Sequence, residues 1–366
     1  MEEKKIYDLI VIGGGAGGLA AAITASKRGK KVIILEKEEK LGKKILVTGN
    51  GKCNLGNTDV SADKYNVNVP EGVLERDVAA FFASLGLATK SLGGRIYPYS
   101  ESALSVLNAL RKNYTGECET GAFVKEIEEK DGLFVCCGKT GRNVLLSTGS
   151  AATKGTESAF LYEKFGHKTL PFIPSLVPLK TDTAYIKGLS GLRAKCEVIL
   201  FENGKPIVKR QGEILFRDGG VSGIVSMSLS AFIARKRGNG DFSLSVDFAP
   251  DKTEEEVKKF TEKYGAESFL QKAIAQNAEK QAKDRKISVA AAVKNFEIKN
   301  VRLGEMKQAQ VACGGLEVGQ FDENFQSRLK KGLYACGEVL DVDGECGGYN
   351  LHFAFASGIK VGESVC

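Results

Sequence analysis

The chain has 366 residues, 43% of them hydrophobic and 27% charged, and carries a formal net charge of +7. This is the composition of an ordinary soluble globular protein, and the length predicts two domains rather than one core. The N-terminal MEEKK lacks an apolar h-region, and nine cysteines without a CxxC pair do not form a disulfide framework, so a reducing cytoplasm is expected. The positive charge is spread along the chain. It suits the phosphates of a dinucleotide or an acidic substrate, and the expected partner is a small molecule, with neither nucleic acid nor membrane.

The first informative stretch is Ile6 to Lys37. Ile6 to Ile12 is a continuous apolar run that reads as a strand buried on both faces. Gly13, Gly15 and Gly18 follow at GxGxxG spacing, then small and apolar residues at helical intervals to Arg28. Lys31 to Leu35 is a second buried strand ending on Glu36. Gly13 permits the tight turn, Gly15 lets a pyrophosphate approach the backbone, and Gly18 lets helix and strand pack closely. The helix start offers unpaired N–H groups to phosphates, and Glu36 can accept both hydroxyls of an adenosine ribose. Strand, glycines, helix, second strand and acid in register point to dinucleotide binding. The glycines in the turn, together with Asp8, argue against a membrane span over Ile6 to Ala25.

Leu41 to Asn57 is glycine-broken, with Lys43, Lys44 and Lys52 supplying charge and Thr48, Asn50, Cys53 and Asn54 supplying polar atoms, as expected of backbone wrapping a ligand. Disulfide reductases place paired thiols here. This chain has only Cys53, so a structural or flavin-neighbouring thiol is expected. Glu71 to Leu85 reads as a helix, and Ser100 as the cap of another that runs to about Tyr114. Ala122 to Cys137 reads as a hairpin turned at Asp131-Gly132, and Val144 to Ser147 as a buried strand ending on Thr148-Gly149. His167 reads as a surface histidine.

Pro171, Pro174 and Pro178 mark a crossover into a mixed region that ends near Gly304. It contains expected strands at Lys195 to Phe201, Glu213 to Phe216 and Phe242 to Phe248, with a turn at Asn203-Gly204. SGIVSMSLSAFIARKR reads as a helix, and Thr253 to Arg285 as two charged helices broken at Gly265. The last stretch holds strands at Gln308 to Cys313 and Gly332 to Cys336, the turn Gly337-Glu338, and an apolar helix over Leu351 to Val361. A strand, a glycine and an acid ahead of a glycine-led helix form a second nucleotide-holding turn, whose helix start can face an anionic flavin ring. No metal site is expected.

VIGGGAGGLAAA, GKKILVTGNGKCNLGN, GGRIYPYS, GEILFRDGGVSG and GLYACGEVLDVDGECGGYNL, in this order from residue 6 to residue 361, resemble the BaiN-like, or aminoacetone-oxidase-like, family of bacterial FAD-dependent oxidoreductases. The resemblance implies an α/β fold: a Rossmann-type, glutathione-reductase-like FAD-binding domain of residues 1–176 and 305–366, with an inserted substrate domain, 177–304, of a small β-barrel plus helices. It further implies that Gly13, Gly15, Ala16, Gly17 and Gly18 hold the pyrophosphate, with Glu36 and Lys37 at the adenosine. Lys44, Thr48, Gly49, Asn50, Gly51, Cys53 and Asn54 would pass beside the ribityl chain and ring. Val124 would meet the adenine edge, and Thr148 and Gly149 would close over the cofactor. Gly337, Glu338 and Asp341 would lie at the ribityl and phosphate side, and Gly348, Tyr349, Asn350 and Leu351 at the pyrimidine end. The chain departs from the family at Lys52 (usually Arg), Ile224 (commonly Pro), His352 (usually Gln) and Phe353 (often Trp).

The expected activity is FAD-dependent hydride transfer with a small organic substrate, by family analogy reduction of a C=C bond conjugated to a carbonyl, as in steroid-like enones. NAD(P)H is the candidate electron donor, although no second GxGxxG stands in the chain. His352 and Tyr349 are the candidate proton donors, each with a packing or ring-clamping alternative, and the clamp is favoured for His352. A flavin amine oxidase using oxygen is the alternative enzyme, and an RNA-modifying flavoprotein a more distant one.

Overall fold

The computed structural model describes residues 5–152 and 158–365, in two compact units: Met1–Phe172 with Val311–Cys366, and Ile173–Gln310. The first unit is built on β1 (Ile6–Ile12), which pairs in parallel with β2 (Val32–Glu36) on one side and with Lys139–Leu146 on the other. Being flanked on both edges and covered on both faces, β1 is apolar throughout its second half. Glu117–Thr120 extends the sheet beyond β2, and Leu333–Ala335 pairs with the end of Lys139–Leu146, all in parallel. The start of that last strand takes the antiparallel hairpin Glu128–Lys130 and Leu133–Cys136. Asp131 and Gly132 turn the hairpin with φ of 52° and 75°, the paired left-handed residues of a type I′ turn.

Helix α1 (Ala16–Lys27) is buried from Gly17 to Ile23, and the C-terminal helix Tyr349–Ser364 packs along it. The two backbones approach so closely that a Cβ at Gly358 would overlap the Gly17 carbonyl, and one at Gly362 would lie 2.6 Å from the Ala21 oxygen. The small residues of both helices are there for this crossing.

The second unit holds an antiparallel seven-stranded sheet. Its order is Phe296–Ile298, Phe242–Asp247, Arg193–Glu202, Lys205–Arg217, Gly220–Ser222, Leu179–Lys180, Arg302–Leu303. The resemblance implies a small β-barrel here. The observed element is this sheet, whose two outer strands are consecutive in the chain. Helices Gly223–Arg235, Glu254–Tyr264, Lys272–Arg285 and Val289–Lys294 complete the unit around Phe216, Phe242 and Phe296. Thr253 and Glu256 form a capping box ahead of the second of these helices, and Gly265, at φ 73°, ends it.

Several local expectations are corrected. The helix expected over Glu71 to Leu85 spans only Val78–Ser84, because Asp77 caps it through the Ala80 N–H at 2.8 Å. The helix expected from Ser100 begins at Ala103, since Glu101 sits at φ 49° and cannot be helical. Glu213 to Phe216 is the end of the single long strand Lys205–Arg217 rather than a separate one. His167 is buried, with Nε2 2.8 Å from Ser327 Oγ and its ring stacked on Phe321. No helix among the described residues is long and apolar enough to cross a membrane.

The helix crossing gives a stability test. Gly358→Ala forces a methyl into the Gly17 carbonyl, which should cost about 1–3 kcal/mol and lower Tm by several degrees. Gly319→Ala, with nothing within 4 Å of the new methyl, should stay within about 0.5 kcal/mol of the parent. Equal Tm values for the two variants would refute the close crossing.

Candidate functional site

The site begins at the turn from β1 into α1. A Cβ at Gly18 would overlap the Gly13 carbonyl oxygen and lie 2.6 Å from Ser147 Oγ, so helix and strand meet there without room for a side chain. Gly15 is different: nothing is nearer than 4.0 Å to its Cβ position, and no side chain caps α1. The turn is therefore packed shut on the sheet side and open at the helix start, where unpaired N–H groups and the positive dipole end favour an anion. Gly17 has a further role that spacing does not reveal: its Cβ position lies 2.8 Å from Cys336 Sγ and 3.0 Å from the Ala354 oxygen, so it also admits the C-terminal helix.

Glu36 ends β2 almost fully buried. Its Oε2 accepts the Gly14 N–H at 2.7 Å and its Oε1 the Glu38 N–H at 2.9 Å. One carboxylate thus ties the glycine turn to the end of β2, and each oxygen keeps a lone pair for a further donor. Lys37 Nζ lies 4.0 Å from Glu38, and Val124 is buried two residues beyond Ala122, whose N–H donates to the Glu36 carbonyl.

The segment after β2 coils back on itself through left-handed Gly49, Asn50, Gly51 and Cys53, and Thr48 Oγ1 donates to the Ile45 carbonyl at 2.7 Å. Cys53 is fully buried, and burial pushes its thiol up to about 11, which keeps it from acting as a thiolate near neutral pH. Two polar side-chain atoms of this site, Asn54 Oδ1 and Thr148 Oγ1, are buried without a hydrogen-bond partner among the described residues. Asn54 Oδ1 faces Gly348, whose Cβ would lie 2.7 Å from it. A buried unpaired polar atom costs about 1–3 kcal/mol, so such atoms mark where a polar ligand belongs.

Lys44 pairs with Glu338 at 2.7 Å, and the other oxygen of Glu338 accepts the Ala312 N–H at 2.9 Å. Gly149 lies beside this pair, its Cβ position 3.9 Å from Glu338 Oε2. Gly337 opens the short turn, and Asp341 Oδ1 accepts the Gly314 N–H at 2.7 Å. Gly348, at φ 101°, starts the C-terminal helix. Asn350 is committed to its own loop, bonded through both ends of its amide to Gly344. Leu351 packs partly buried against the core.

The two candidate proton donors differ. His352 is buried and its Nε2 lies 3.0 Å from the Leu74 carbonyl oxygen, which can only accept, so the ring proton sits on Nε2 and is already used. Desolvation lowers its pKa. The Tyr349 phenol is held protonated to higher pH by burial. Other supporting contacts carry no sequence signal: Tyr65 Oη donates to the Tyr349 carbonyl at 3.0 Å, Asn66 bonds Asp341 and the backbone of Asp343, and Arg76 holds Glu363 through both guanidinium nitrogens. Among the described residues no cluster of His, Cys, Asp or Glu could hold a metal ion.

The family model of the HI0933-like protein Rossmann domain matches residues 7–364. A 3-dehydro-bile acid delta(4,6)-reductase of Clostridium scindens is 32% identical over 374 residues, covering 90% of this chain and 91% of that protein. A ribosomal RNA dihydrouridine synthase of Escherichia coli is 26% identical over 402 residues, covering 96% of each. Among solved structures, a 3-ketosteroid-delta4-(5alpha)-dehydrogenase from Rhodococcus jostii shares the fold at TM-score 0.51 and 15% identity, over 100% of this chain and 98% of that one.

Two outcomes follow from this geometry. Glu36→Gln must turn an amide NH2 towards one of two backbone donors, so it should weaken FAD retention almost as much as Glu36→Ala. The loss should be about 100-fold, or roughly 3 kcal/mol for two charge-assisted bonds. Dilution of the holoprotein with flavin fluorescence as readout checks this, and full retention in the Gln variant contradicts it. For His352 the folded pKa lies below the ordinary 6.5. Its contribution to stability is complete above about pH 6.5 and is lost as pH falls towards the folded value, because the unfolded chain takes up the proton first. The fall in Tm between pH 7.5 and 5.5 should therefore be smaller in His352→Gln than in the parent.

Proposed function

The chain belongs to the HI0933-like Rossmann-domain family of FAD-dependent oxidoreductases, and from that premise we propose that it reduces a C=C bond conjugated to a carbonyl. The observation that carries this is chemical. The relative from Clostridium scindens is named for reduction in a 3-oxo bile acid, and a dihydrouridine is a uridine whose C5=C6 bond, conjugated to the C4 carbonyl, has been saturated. Two relatives matched along nearly their whole length thus share one electronic unit in their acceptors, although the molecules bearing it differ.

The residues present fit FAD: an uncapped helix start beside an open Gly15, a buried carboxylate with lone pairs to spare, and orphaned Asn54 Oδ1 and Thr148 Oγ1. Gly13, Gly15, Ala16 and Gly18 would hold the pyrophosphate, Glu36 the ribose, Lys44 and Glu338 the ribityl side, and Asn54 with Gly348 the pyrimidine end. Bound there, FAD supplies the two-electron chemistry. The chain supplies orientation, exclusion of water and the proton that saturation of the second carbon requires. We assign that proton to Tyr349, which follows Gly348 at the start of the C-terminal helix, and we assign His352 a clamping role, since its ring N–H is bonded to Leu74. NAD(P)H is the proposed donor, and a small steroid-like enone the leading acceptor, on the 32% identity of the bile acid reductase. The second acceptor, uridine within RNA, is favoured by the full-length match to the dihydrouridine synthase.

The test is anaerobic. NADH or NADPH should bleach the bound flavin, and a conjugated enone should restore its colour, whereas the saturated ketone should not. Colour restored by oxygen alone, with amines as reductants, would overturn the proposal in favour of an oxidase. Tyr349→Phe should slow reoxidation by the enone at least 100-fold, within the range of about 10²–10⁴ for general acid catalysis, and His352→Gln less than tenfold. Cys53→Ser should also stay within about tenfold, because its thiol takes no part.

A further inference from the structure

In the inserted unit the strand Gly220–Ser222 runs directly into the helix Gly223–Arg235. Gly223 makes the elbow at φ 88°, and a Cβ there would lie 2.5 Å from the Glu213 carbonyl oxygen. Gly212, on the same neighbouring strand, makes room for the first turn: its Cβ position is 2.8 Å from Val225 Cγ2 and 3.1 Å from Ile224 Cγ2. Two positions without side chains thus press the helix start onto the sheet. The N–H groups of Ile224 and Val225 belong to the first turn, where a helix offers no acceptor of its own. Ser222 is of a type that ordinarily caps such groups, yet no side chain caps this helix. The helices Glu254–Tyr264 and Val289–Lys294 of the same unit are capped, by Thr253 and Ser288. Ile224, 36% exposed, keeps the helix start within reach of solvent.

Ser226 stands one residue further on and is only 1% exposed. Helical side chains lean towards the N-terminus, so its hydroxyl is directed back over the helix start. The next two serines of this helix satisfy themselves on a carbonyl three or four residues back. Ser228 Oγ donates to the Ile224 carbonyl at 2.8 Å, and Ser230 Oγ to that of Met227 at 2.6 Å while accepting the Val177 N–H at 3.0 Å. Ser226 Oγ has no partner among the described residues. A buried hydroxyl left unpaired is costly, and it marks where a polar group belongs. The first turn, Gly223 to Ser226, carries no charged side chain, so the attraction for an anion is that of a helix dipole and not of a full charge. Backbone donors, one hydroxyl and a dipole suit an oxygen that gains charge during a reaction better than a phosphate that carries it throughout.

We infer that the start of the helix Gly223–Arg235 is an oxyanion site, where the N–H groups of Ile224 and Val225 and the hydroxyl of Ser226 hold the carbonyl oxygen of the acceptor. This rests on the conjugate reduction proposed above. When hydride reaches the β-carbon of an enone, the electron pair of the C=C bond moves onto the carbonyl oxygen, and a proton taken up at the α-carbon returns it. Negative charge is therefore greatest, during the reaction, on the atom that the helix start holds.

Ser226→Ala in the FAD-loaded protein tests this with three readouts. Removing an orphaned buried hydroxyl relieves its desolvation, so Tm should equal or exceed that of the parent. Reoxidation by a saturating conjugated steroid enone should nevertheless slow about 100-fold, within the range of about 10²–10³ for loss of one such donor, with FAD content and bleaching by NADH or NADPH unchanged. The third readout needs no turnover: the infrared stretch of the isotope-labelled carbonyl of the saturated steroid ketone, bound to the oxidised protein. Hydrogen bonds weaken the C=O bond, so the stretch should lie at lower frequency in the parent than in the variant. The oxyanion site is overturned if the ketone does not bind the parent, if the two stretches coincide, if the variant is reoxidised within threefold of the parent, or if its Tm falls, which would show the hydroxyl to be bonded within the protein. If the parent reduces no enone and the stretches still differ, the site stands and the conjugate reduction falls.

Discussion

A close approach without side chains sets the limits for the FAD unit. The backbone at Gly13 and Gly18 meets with no room for a Cβ, and Glu36 fixes the turn so formed by accepting N–H groups from Gly14 and Glu38. The strand ladder then places β1 between β2 and Lys139–Leu146, and Ser147 Oγ closes the other side by donating to the Gly13 carbonyl at 2.8 Å. Three parallel strands therefore end at one point, beside the start of α1. This is the crevice at the carboxyl ends of the strands where open α/β sheets bind nucleotides.

The same economy of atoms brings the chain's end back to its beginning. Gly17 and Gly358 let α1 and the C-terminal helix cross at backbone distance, and Gly348 starts that helix beside Asn54. Lys44 and Glu338, almost three hundred residues apart, meet as a consequence. A domain interrupted by residues 173–310 keeps one core because these contacts are made by small residues whose positions tolerate little displacement. In the inserted unit, by contrast, the sheet is antiparallel and its turns are local, as at Asn203-Gly204, with φ of 50° and 76°.

What the sequence made legible was local. The β1–α1–β2 register, the turns at Asp131-Gly132 and Asn203-Gly204, and the helix break at Gly265 each depend on neighbours within a few residues, and each is found where its residue types place it. What was not legible depends on distant partners. His167 is buried because Ser327, 160 positions on, bonds its ring and Phe321 stacks on it. His352 looks like a free titratable group until the Leu74 carbonyl, 278 positions away, takes its N–H. The segment before Asp77 carries apolar residues at helical spacing, yet it folds into turns, with Gly72 at φ 74°, and Arg76 pairs with the distant Glu363. Periodicity reports which residues can be buried, and not which long-range bond will claim the backbone.

The central claim is that this fold is a cradle for FAD, held without a covalent link. Acid precipitation of the purified protein tests it most directly. Yellow FAD should appear in the supernatant at close to one per chain, released intact because His167 is bonded to Ser327 and His352 to the Leu74 carbonyl. Colour retained in the pellet, or FMN in place of FAD, would contradict the roles given to Glu36 and the glycine turn.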